Sequence, residues 1–386
     1  MMSSIRYLMK SPFHGKIKEI PGVYVDNFEK AERRNARAYF LSHYNSDHIQ
    51  RLHSAQLLDV LLKKNITIYT TELTAAIIND DKHDERIMKC VRALKMGSTQ
   101  ISLPGLPEKD IPELCLTVTL IPASHSAAST MFLFSTTTHN ILFIGEYHIN
   151  RKDLPSFKHL HVDDKPIKLD AMYVDTTMQH LDCENFTKRS NGVQRMIFEI
   201  RCWLNWNENN AIAIHTSDKY DYEFVFNEIY KQLNMKVFVH SERWSFYSSI
   251  QELVPGVTNN EESTRIHLCR NRSEDSSHTS CVQKCHNNYL LVDVFPMPWQ
   301  NYKDGKCSVS RVTQEQRLDV CFATHCTLRE IDYFVDYFAP NRIIGYPHEY
   351  AGKLERNELC YYSRIGKKRV KIPKRVDDDL KKLMFG

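Results

Sequence analysis

Two histidines, an amide and an aspartate follow a short apolar run near the start of the chain. The run Ala38–Ser42 leads into His43-Tyr44-Asn45-Ser46-Asp47-His48, which places these four polar side chains within six residues. Strand ends are where α/β proteins place groups that bind ligands. Imidazole and carboxylate together suit zinc, and a shell that the protein fills only in part leaves room for an activated water. The spacing therefore indicates a metal site.

Four later apolar runs end in the same kinds of side chain. His125 follows Pro122-Ala123-Ser124, Glu146 follows Ile144-Gly145, Asp175 follows Tyr173-Val174, and His325 follows Ala323-Thr324. Each of these residues taken alone is more often structural. Five strand ends that present His, Asp or Glu are a pattern that core histidines rarely produce. Together they favour a shared metal site over five separate structural roles.

The elements that must position these groups are short strands that alternate with amphipathic helices. Residues Leu328–Phe338 and Val193–Leu204 repeat their apolar positions at helical spacing. Nine runs rich in Val, Ile, Phe and Tyr predict buried strands. They are Ala38–Ser42, Leu116–Pro122, Asn140–Gly145, Leu169–Asp175, Ala211–His215, Lys236–His240, Tyr289–Phe295, Leu318–Thr324 and Arg342–Gly345. Strands that alternate with helices predict an α/β architecture.

Composition is that of a globular protein of two or three domains. The chain has 386 residues, 42% hydrophobic and 25% charged, and no apolar run approaches the roughly 18 residues of a membrane span. Met1–Ile20 lacks the apolar core of a signal peptide, so we expect an intracellular protein. The 11 cysteines then predict free thiols or metal ligands, and the net charge of +4 is compatible with a nucleic-acid partner.

Two further segments differ from the rest of the chain. Residues Asn259–Asn288 are rich in Ser, Asn, Glu and His and predict mostly loop. Residues Lys367–Arg375 form a basic run, which is either a solvated surface segment or a nuclear-localisation or phosphate-binding segment.

The motifs resemble those of the metallo-β-lactamase hydrolases, and in particular the β-CASP subgroup of DNA-repair nucleases. Ser42-His43-x-Asn45-x-Asp47-His48 is similar to the HxHxDH signature, and Pro122–His125 to the third motif. Gly145-Glu146 stands where the family has Gly-Asp. Asp175-Thr176-Thr177 and His325 resemble the acidic motif and the last histidine of the subgroup. The similarity runs from about Val23 to about Tyr346.

The resemblance implies a metallo-β-lactamase αβ/βα sandwich with an inserted β-CASP domain. The implied limits are 1–177 and 318–386 for the sandwich and 178–317 for the insertion. It also implies two catalytic metal positions, which would hold one or two Zn²⁺ ions or Mg²⁺ or Mn²⁺. The first position would use His43, Asn45, His125 and Glu146, and the second Asp47, His48, Glu146 and His325.

The chain departs from the family pattern at three places in this site. Asn45 replaces a histidine, and an amide oxygen is a poor zinc ligand beside neutral imidazole. Glu146 replaces an aspartate and adds a methylene. The motif Ser124–Ser129 lacks both glycines of the family. We therefore expect the metal mainly at the second position, or bound weakly, or absent.

The resemblance also implies roles for other side chains. Asp47 would orient or deprotonate the attacking water, and Asp175 would hold a ligand histidine in the correct tautomer. His325 would ligate the metal or stabilise the leaving oxygen. Thr177 and Thr327 would hydrogen-bond the phosphate.

A structural zinc site is implied in the insertion. His240, His267 and Cys269 match three of its ligands, and Cys285 has the spacing of the fourth, with Cys281 as a competitor. Two histidines and two cysteines suit a closed tetrahedral site, which stabilises loops.

The function implied is that of a metal-dependent DNA nuclease, with 5′-to-3′ exonuclease and structure-dependent endonuclease activities. It would act in the nucleus, in double-strand break repair by non-homologous end joining or in cross-link repair. DNA ends, hairpins and damaged or single-stranded DNA would be its partners, with repair-complex proteins as further candidates and no membrane. One alternative is a catalytically impaired DNA-binding or scaffold member of the family. The other is a small-molecule hydrolase, which the β-CASP-like segment disfavours.

Overall fold

The structure, a computed structural model, describes most of the chain as far as Ala351. The described residues are 14–82, 84–147, 151–179, 189–269, 288–296, 309–312, 316–323 and 325–351. One compact unit ends at Tyr350, and a second covers Ala351–Gly386. The basic run Lys367–Arg375 lies outside the described residues, as do Cys281 and Cys285.

Four parallel strands form the first sheet. They are β1 (Val23–Val25), β2 (Ala38–Phe40), β3 (Thr67–Thr71) and β4 (Val91–Leu94), in that order across the sheet. Two helices follow strands of this sheet, namely α1 (Ala55–Lys64) and α2 (Glu72–Asp80). Both helices begin at a hydroxyl cap, because Ser54 accepts a hydrogen bond from Leu57 N and Thr71 accepts one from Thr74 N.

Six strands form the second sheet, and a separate two-stranded pair lies within the same part of the chain. The six are β5 (Gly97–Leu103), β6 (Leu114–Pro122), β7 (Thr130–Ser135), β8 (Asn140–Phe143), β11 (Ala171–Asp175) and β19 (Ile343–Tyr346). The pair is β9 (His161–Val162) with β10 (Lys165–Pro166). The sheet order is β19-β11-β8-β7-β6-β5, with β8, β11 and β19 parallel.

Alternate side chains of the central strands enter two different cores. On β11, Tyr173 packs between the two sheets, where it joins Phe40 of β2 and Phe132 of β7. Met172 and Val174 face the opposite way, against helix α6 (Leu328–Phe338). A strand buried on both faces has this pattern, and it accounts for the continuous apolar runs in the sequence. Helices, two sheets and helices thus follow one another in four layers.

The described residues of the segment between the two parts of the sandwich form seven strands and three α-helices. The strands are β12 (Ala211–Thr216), β13 (Val237–Phe238), β14 (Val257–Thr258), β15 (Ile266–Leu268), β16 (Tyr289–Phe295), β17 (Val309–Val312) and β18 (Arg317–Cys321). The helices are α3 (Arg189–Trp206), α4 (Glu223–Leu233) and α5 (Ser241–Tyr247). The sheet order is β14-β13-β15-β12-β16-β18-β17, and only β17 is antiparallel to its neighbour.

All nine runs predicted as strands coincide with strands, and the two predicted helices are present. The stretch Asn259–Asn288, predicted as mostly loop, contains β15, and residues 270–287 of it lie outside the described residues. That strand has three residues, too few to show a pattern among polar neighbours. The domain limits remain a prediction; β18 spans the second limit and pairs with β16 in the seven-stranded sheet.

Candidate metal centre

Glu146 lies at the centre of a buried cluster of histidines. Its Oε2 atom lies 3.6 Å from His43 Nε2 and 3.3 Å from His125 Nε2. Its Oε1 atom lies 3.2 Å from His48 Nε2 and 3.4 Å from His325 Nδ1. The structure therefore brings four histidines, predicted from three separate strand ends, around one carboxylate.

The backbone before Glu146 explains how its carboxylate reaches the cluster. Gly145 follows β8 and has a φ of 65°, in the left-handed region that favours glycine. A Cβ atom here would lie 3.4 Å from the ring of Phe143 and 3.6 Å from Ser42 Oγ. Gly145 therefore turns the chain at the end of β8, and the side chain of Glu146 points into the space between the histidines.

A hydrogen-bond chain fixes the tautomer of His43. The Ser42 hydroxyl donates to Asp26 Oδ2 at 2.6 Å, and Ser42 Oγ lies 3.0 Å from His43 Nδ1. Because the only hydroxyl proton is directed to Asp26, His43 must donate from Nδ1. The lone pair of Nε2 then faces Glu146, which is the state in which an imidazole binds a metal.

Asp26 also holds the second histidine of the turn. Asp26 Oδ2 lies 2.9 Å from His48 Nδ1, while His48 Nε2 hydrogen-bonds to Glu146. Burial disfavours the charged imidazole, yet Asp26 and Glu146 raise the pKa of His48 well above its ordinary value. Burial likewise disfavours the charged Glu146, but His325, His43 and His48 hold its pKa well below the usual range.

The loop that carries His125 keeps its shape without the glycines of the family. Ser124 takes a positive φ of 56°. Ser129 Oγ accepts hydrogen bonds from the backbone N–H groups of His125 and Ser126, at 3.2 and 2.9 Å. The first residue of α3, Arg189, donates to the carbonyl oxygen of His125 at 2.8 Å. Side-chain hydrogen bonds thus support the turn in place of a permissive backbone.

Asp175 orients His325 from the end of β11. Its Oδ2 atom accepts from His325 Nδ1 at 2.8 Å, and its Oδ1 atom accepts from the hydroxyl and backbone N–H of Thr177. Burial lowers the pKa of His325, but Glu146 and Asp175 outweigh it and raise the pKa to about 9. Asp175 thus holds the His325 ring in one orientation, and its predicted role beside a metal-ligating histidine stays a prediction.

Asn45 and Asp47 differ from the histidines in their contacts and burial. Asn45 Oδ1 accepts hydrogen bonds from Asp47 N at 3.2 Å and from Ser46 Oγ at 3.4 Å, so this oxygen holds the turn. Asp47 is half-buried beside His48, Glu146 and His325, and burial raises the pKa of its carboxyl. Their assignment as metal ligands remains a prediction.

Two acids of the centre carry no local signal in the sequence. Asp26 follows β1, a strand of only three residues. Asp221 comes from the loop between β12 and α4 and lies against His43 and His125. For Asp26, its position after a short strand was the one sequence feature that could have suggested a site residue. For Asp221 there was no such feature.

The residues present fit a divalent metal ion. Two sets of three ligand atoms lie within 4.8 Å of one another among the described residues: His43, His48 and Glu146, and His43, His125 and Asp221. Donors at 2.0–2.1 Å from a tetrahedral zinc lie roughly 3.3 Å apart, close to the separations of Glu146 Oε2 from the two histidines. Among the described residues, His43 Nε2 and Glu146 Oε2 are buried without a hydrogen-bond partner.

Two of the predicted structural-zinc ligands, His240 and His267, lie beside Phe238 in the seven-stranded sheet. Phe238 pairs with His267, and its ring lies 5.0 Å from the ring of His240 and 5.3 Å from that of His267. Cys269 is buried, two residues beyond His267 and so on the same face. The fourth candidates lie outside the described residues, and the zinc site remains a prediction.

Both threonines predicted to bind phosphate already make hydrogen bonds within the protein. The Thr177 hydroxyl donates to Asp175 at 2.6 Å. The Thr327 hydroxyl donates to Glu330 at 2.8 Å and forms the capping box of α6. Phosphate contacts from either residue would have to replace or share these bonds, and they stay predictions.

Comparison with known proteins gives the chain its relatives. Residues 251–347 match the family described as DNA repair metallo-beta-lactamase. Protein artemis of Rattus norvegicus is 24% identical over 400 residues, 96% of this chain and 56% of that protein. Protein artemis of Homo sapiens is 25% identical over 349 residues, 88% of this chain and 49% of that protein. The chain is thus similar to DNA-repair metallo-β-lactamase proteins.

Apollo-type proteins are similar over a shorter stretch. The 5′ exonuclease Apollo of Danio rerio is 27% identical over 164 residues, 42% of this chain and 26% of that protein. The chain spans about half the length of the artemis relatives. The predicted resemblance to metallo-β-lactamase DNA-repair nucleases of the β-CASP subgroup is confirmed, with relatives of the Artemis and Apollo types.

A solved structure supports the fold. A protein of unknown function from Enterococcus faecalis V583 superposes with a TM-score of 0.52 and 13% identity, over 80% of this chain and 75% of that chain. The predicted fold class, a metallo-β-lactamase sandwich with an inserted domain, is confirmed. Among the helices that the structure describes, none has the length and apolar character needed to cross a membrane.

Proposed function

We propose that the chain is a metal-dependent DNA nuclease that acts on DNA ends, hairpins or damaged strands in the nucleus. The observation that carries the proposal is the set of histidines around Glu146, in a chain related to Artemis and Apollo proteins. The family relationship makes a phosphodiester the expected substrate. End joining and cross-link repair are the processes in which such an activity would serve.

The residues that would hold the metal are the histidines whose ring nitrogens lie beside the carboxylate of Glu146. His43 and His125 meet Oε2 of Glu146, and His48 meets Oε1. A bound divalent ion supplies charge neutralisation for the phosphate and a nucleophilic hydroxide near neutral pH. Glu146 would help to hold an ion at either position, because each of its oxygens lies beside a different pair of histidines.

The remaining polar groups are placed for proton transfer and substrate binding. Asp47 is half-buried at the edge of the cluster, where its carboxylate can orient or deprotonate a water. His325 is held by Asp175 beside Glu146 and can ligate the ion or stabilise the leaving oxygen. Arg189 adds a positive charge next to the His125 loop, which favours an anionic substrate.

A second candidate function is a DNA-binding scaffold that has lost its chemistry. The observation that favours it is Asn45, whose side-chain oxygen holds the turn in place of a metal-ligating imidazole. The two functions share DNA binding and differ in cleavage. They therefore separate in a single assay of cutting and binding on the same DNA.

The experiment is cleavage of DNA labelled at the 5′ or the 3′ end, as hairpin, duplex and single strand, with Mg²⁺, Mn²⁺ or Zn²⁺. The proposal predicts cleavage by the parent and at least a roughly 100-fold loss in Glu146→Gln and His43→Ala. His139→Ala is the matched control, because His139 is exposed and precedes β8, at the end opposite Glu146. Binding without cleavage in every metal would refute the nuclease and support the scaffold.

A further inference from the structure

Asp221 is an acid of the inserted segment that reaches the metal centre of the sandwich. It lies between β12 and α4, in a part of the chain that carries none of the predicted catalytic ligands. A carboxylate oxygen of Asp221 and one nitrogen each of His43 and His125 lie within 4.8 Å of one another. The side chain is almost fully buried, with 5% of its surface exposed.

The Ser126 hydroxyl and the Arg189 guanidinium both interact with the Asp221 carboxylate. Its Oδ2 atom is enclosed and makes no hydrogen bond of ordinary geometry with any residue that the structure describes. A buried carboxylate without such partners is unfavourable unless it is paired with a charge or a metal. The acid therefore has one oxygen without a hydrogen bond of ordinary geometry, and its carboxylate lies beside two imidazoles.

The backbone of Asp221 is a second, independent observation. Its φ is 77°, in the left-handed region that glycine adopts freely and other residues adopt at a cost. An unfavourable backbone angle and a buried charge at one residue call for a function that outweighs both. Metal ligation is the function that the neighbouring imidazoles indicate.

Asn45 shows why the first metal position needs another donor. Its side-chain oxygen accepts hydrogen bonds from Asp47 N and Ser46 Oγ and so holds the turn. Without it, that position retains His43, His125 and Glu146, one donor short of a four-coordinate shell. A carboxylate is a stronger ligand than an amide for a divalent ion, and Asp221 offers one within 4.8 Å of the ligand nitrogens of His43 and His125.

We propose that Asp221 is a metal ligand, which completes the first position with His43, His125 and Glu146 in place of the imidazole missing at Asn45. This rests on the proposed function only in requiring that the cluster binds a divalent ion. It makes the inserted segment part of the metal site. The ion would then fasten the loop before α4 to the sandwich.

The test is the metal affinity of Asp221→Gly, measured for Zn²⁺ by competition with a chromophoric chelator, with stoichiometry from dialysis. Glycine suits the positive φ, so the metal-free variant should unfold at a temperature equal to or above that of the parent. Affinity at the first position should fall by more than about 100-fold, since losing even an outer partner of a ligand costs 10- to 100-fold. The visible spectrum of bound Co²⁺ should also change, because one carboxylate leaves the shell.

Asp110→Gly is the matched control. Asp110 also has a positive φ, of 54°, but it is exposed at the end of a short turn. The same substitution there relieves the backbone and should leave metal affinity unchanged. A loss of metal affinity in both variants would trace the effect to the change in backbone. That result would overturn the assignment of Asp221 as a ligand.

A rescue variant separates ligation from a structural role. Asn45→His added to Asp221→Gly should raise metal affinity by at least tenfold over that of Asp221→Gly alone. This gain in affinity should exceed the gain that Asn45→His gives in the parent. Unchanged affinity in Asp221→Gly, with the parent binding metal tightly, would overturn the role of Asp221 and leave the nuclease standing. A parent that binds no divalent ion would overturn both.

Discussion

Substitution of Asp26 by Asn should weaken metal binding although Asp26 is not itself a ligand in the proposed centre. The Asp26 carboxylate accepts from Ser42 N at 2.7 Å and from Ser42 Oγ at 2.6 Å, and it lies 2.9 Å from His48 Nδ1. An amide has one acceptor oxygen and presents N–H donors on its other side. The introduced NH2 group would therefore oppose either the Ser42 backbone N–H, at the place of Oδ1, or both the Ser42 hydroxyl and the N–H group of His48, at the place of Oδ2.

The size of the effect follows from what Asp26 controls. It fixes the tautomer of His43 through Ser42, and it holds the ring of His48 directly. Loss of such an orienting partner costs roughly 10- to 100-fold in metal affinity, about 1.4–2.7 kcal/mol. Because two histidines depend on Asp26, we expect the upper half of that range.

The assay is the Zn²⁺ dissociation constant, measured by chelator competition at fixed pH on parent and variant. Asp170→Asn is the control, because Asp170 also accepts hydrogen bonds, from Asn140 N and Asn341 Nδ2. It lies just before β11, away from the end that carries Asp175. A dissociation constant for Asp26→Asn within about threefold of the parent would refute the reasoning.

Three further outcomes are expected. Thr327→Ala should lower the free energy of unfolding in urea by about 1 kcal/mol through loss of the α6 cap, whereas Thr327→Ser should not; an unchanged stability would contradict the capping role. Arg37→Met should cost roughly 3 kcal/mol, because the buried guanidinium donates to four backbone carbonyls; a loss below about 1 kcal/mol would count against this. Cys269→Ser should release about one zinc per chain and lower the Tm, and equal zinc content would argue against a site there.

The strands that position the metal centre could be predicted because most are buried on both faces. Ile141–Ile144 and Met172–Val174 alternate between two apolar cores, so each appears in the sequence as a continuous apolar run. β5 could not be predicted in this way, because its polar positions are exposed on one face and it begins at Gly97. β1 and β15 have three residues each, which is too short for a period to show.

The residues of the metal centre also fall into those that the sequence predicts and those that it does not. His43, His48, His125, Glu146 and His325 follow apolar runs, so strand-end reasoning brought them together before any distance was known. Asp221 lies in a loop of the inserted segment, and only the folded chain brings it to His43. The replacement of a ligand at one position by a donor from a distant segment leaves no local pattern to detect.

The hydrogen bond that the side-chain oxygen of Asn45 accepts is a second feature that the sequence could not predict. The sequence shows an amide where an imidazole is expected, which by itself suggests a damaged site. The structure shows that the amide holds the turn between His43 and His48 through its bond to Asp47 N. Such a bond depends on the turn geometry, which residue type alone does not specify.

Anomalous diffraction from crystals of the chain grown with Zn²⁺ or Mn²⁺ tests the central claim most directly. The account predicts an anomalous peak at the cluster, within ligand distance of His43, His125, Asp221 and Glu146, and a second near His48 if two ions bind. Crystals with metal peaks elsewhere and none at this cluster, at saturating metal and neutral pH, would contradict the account.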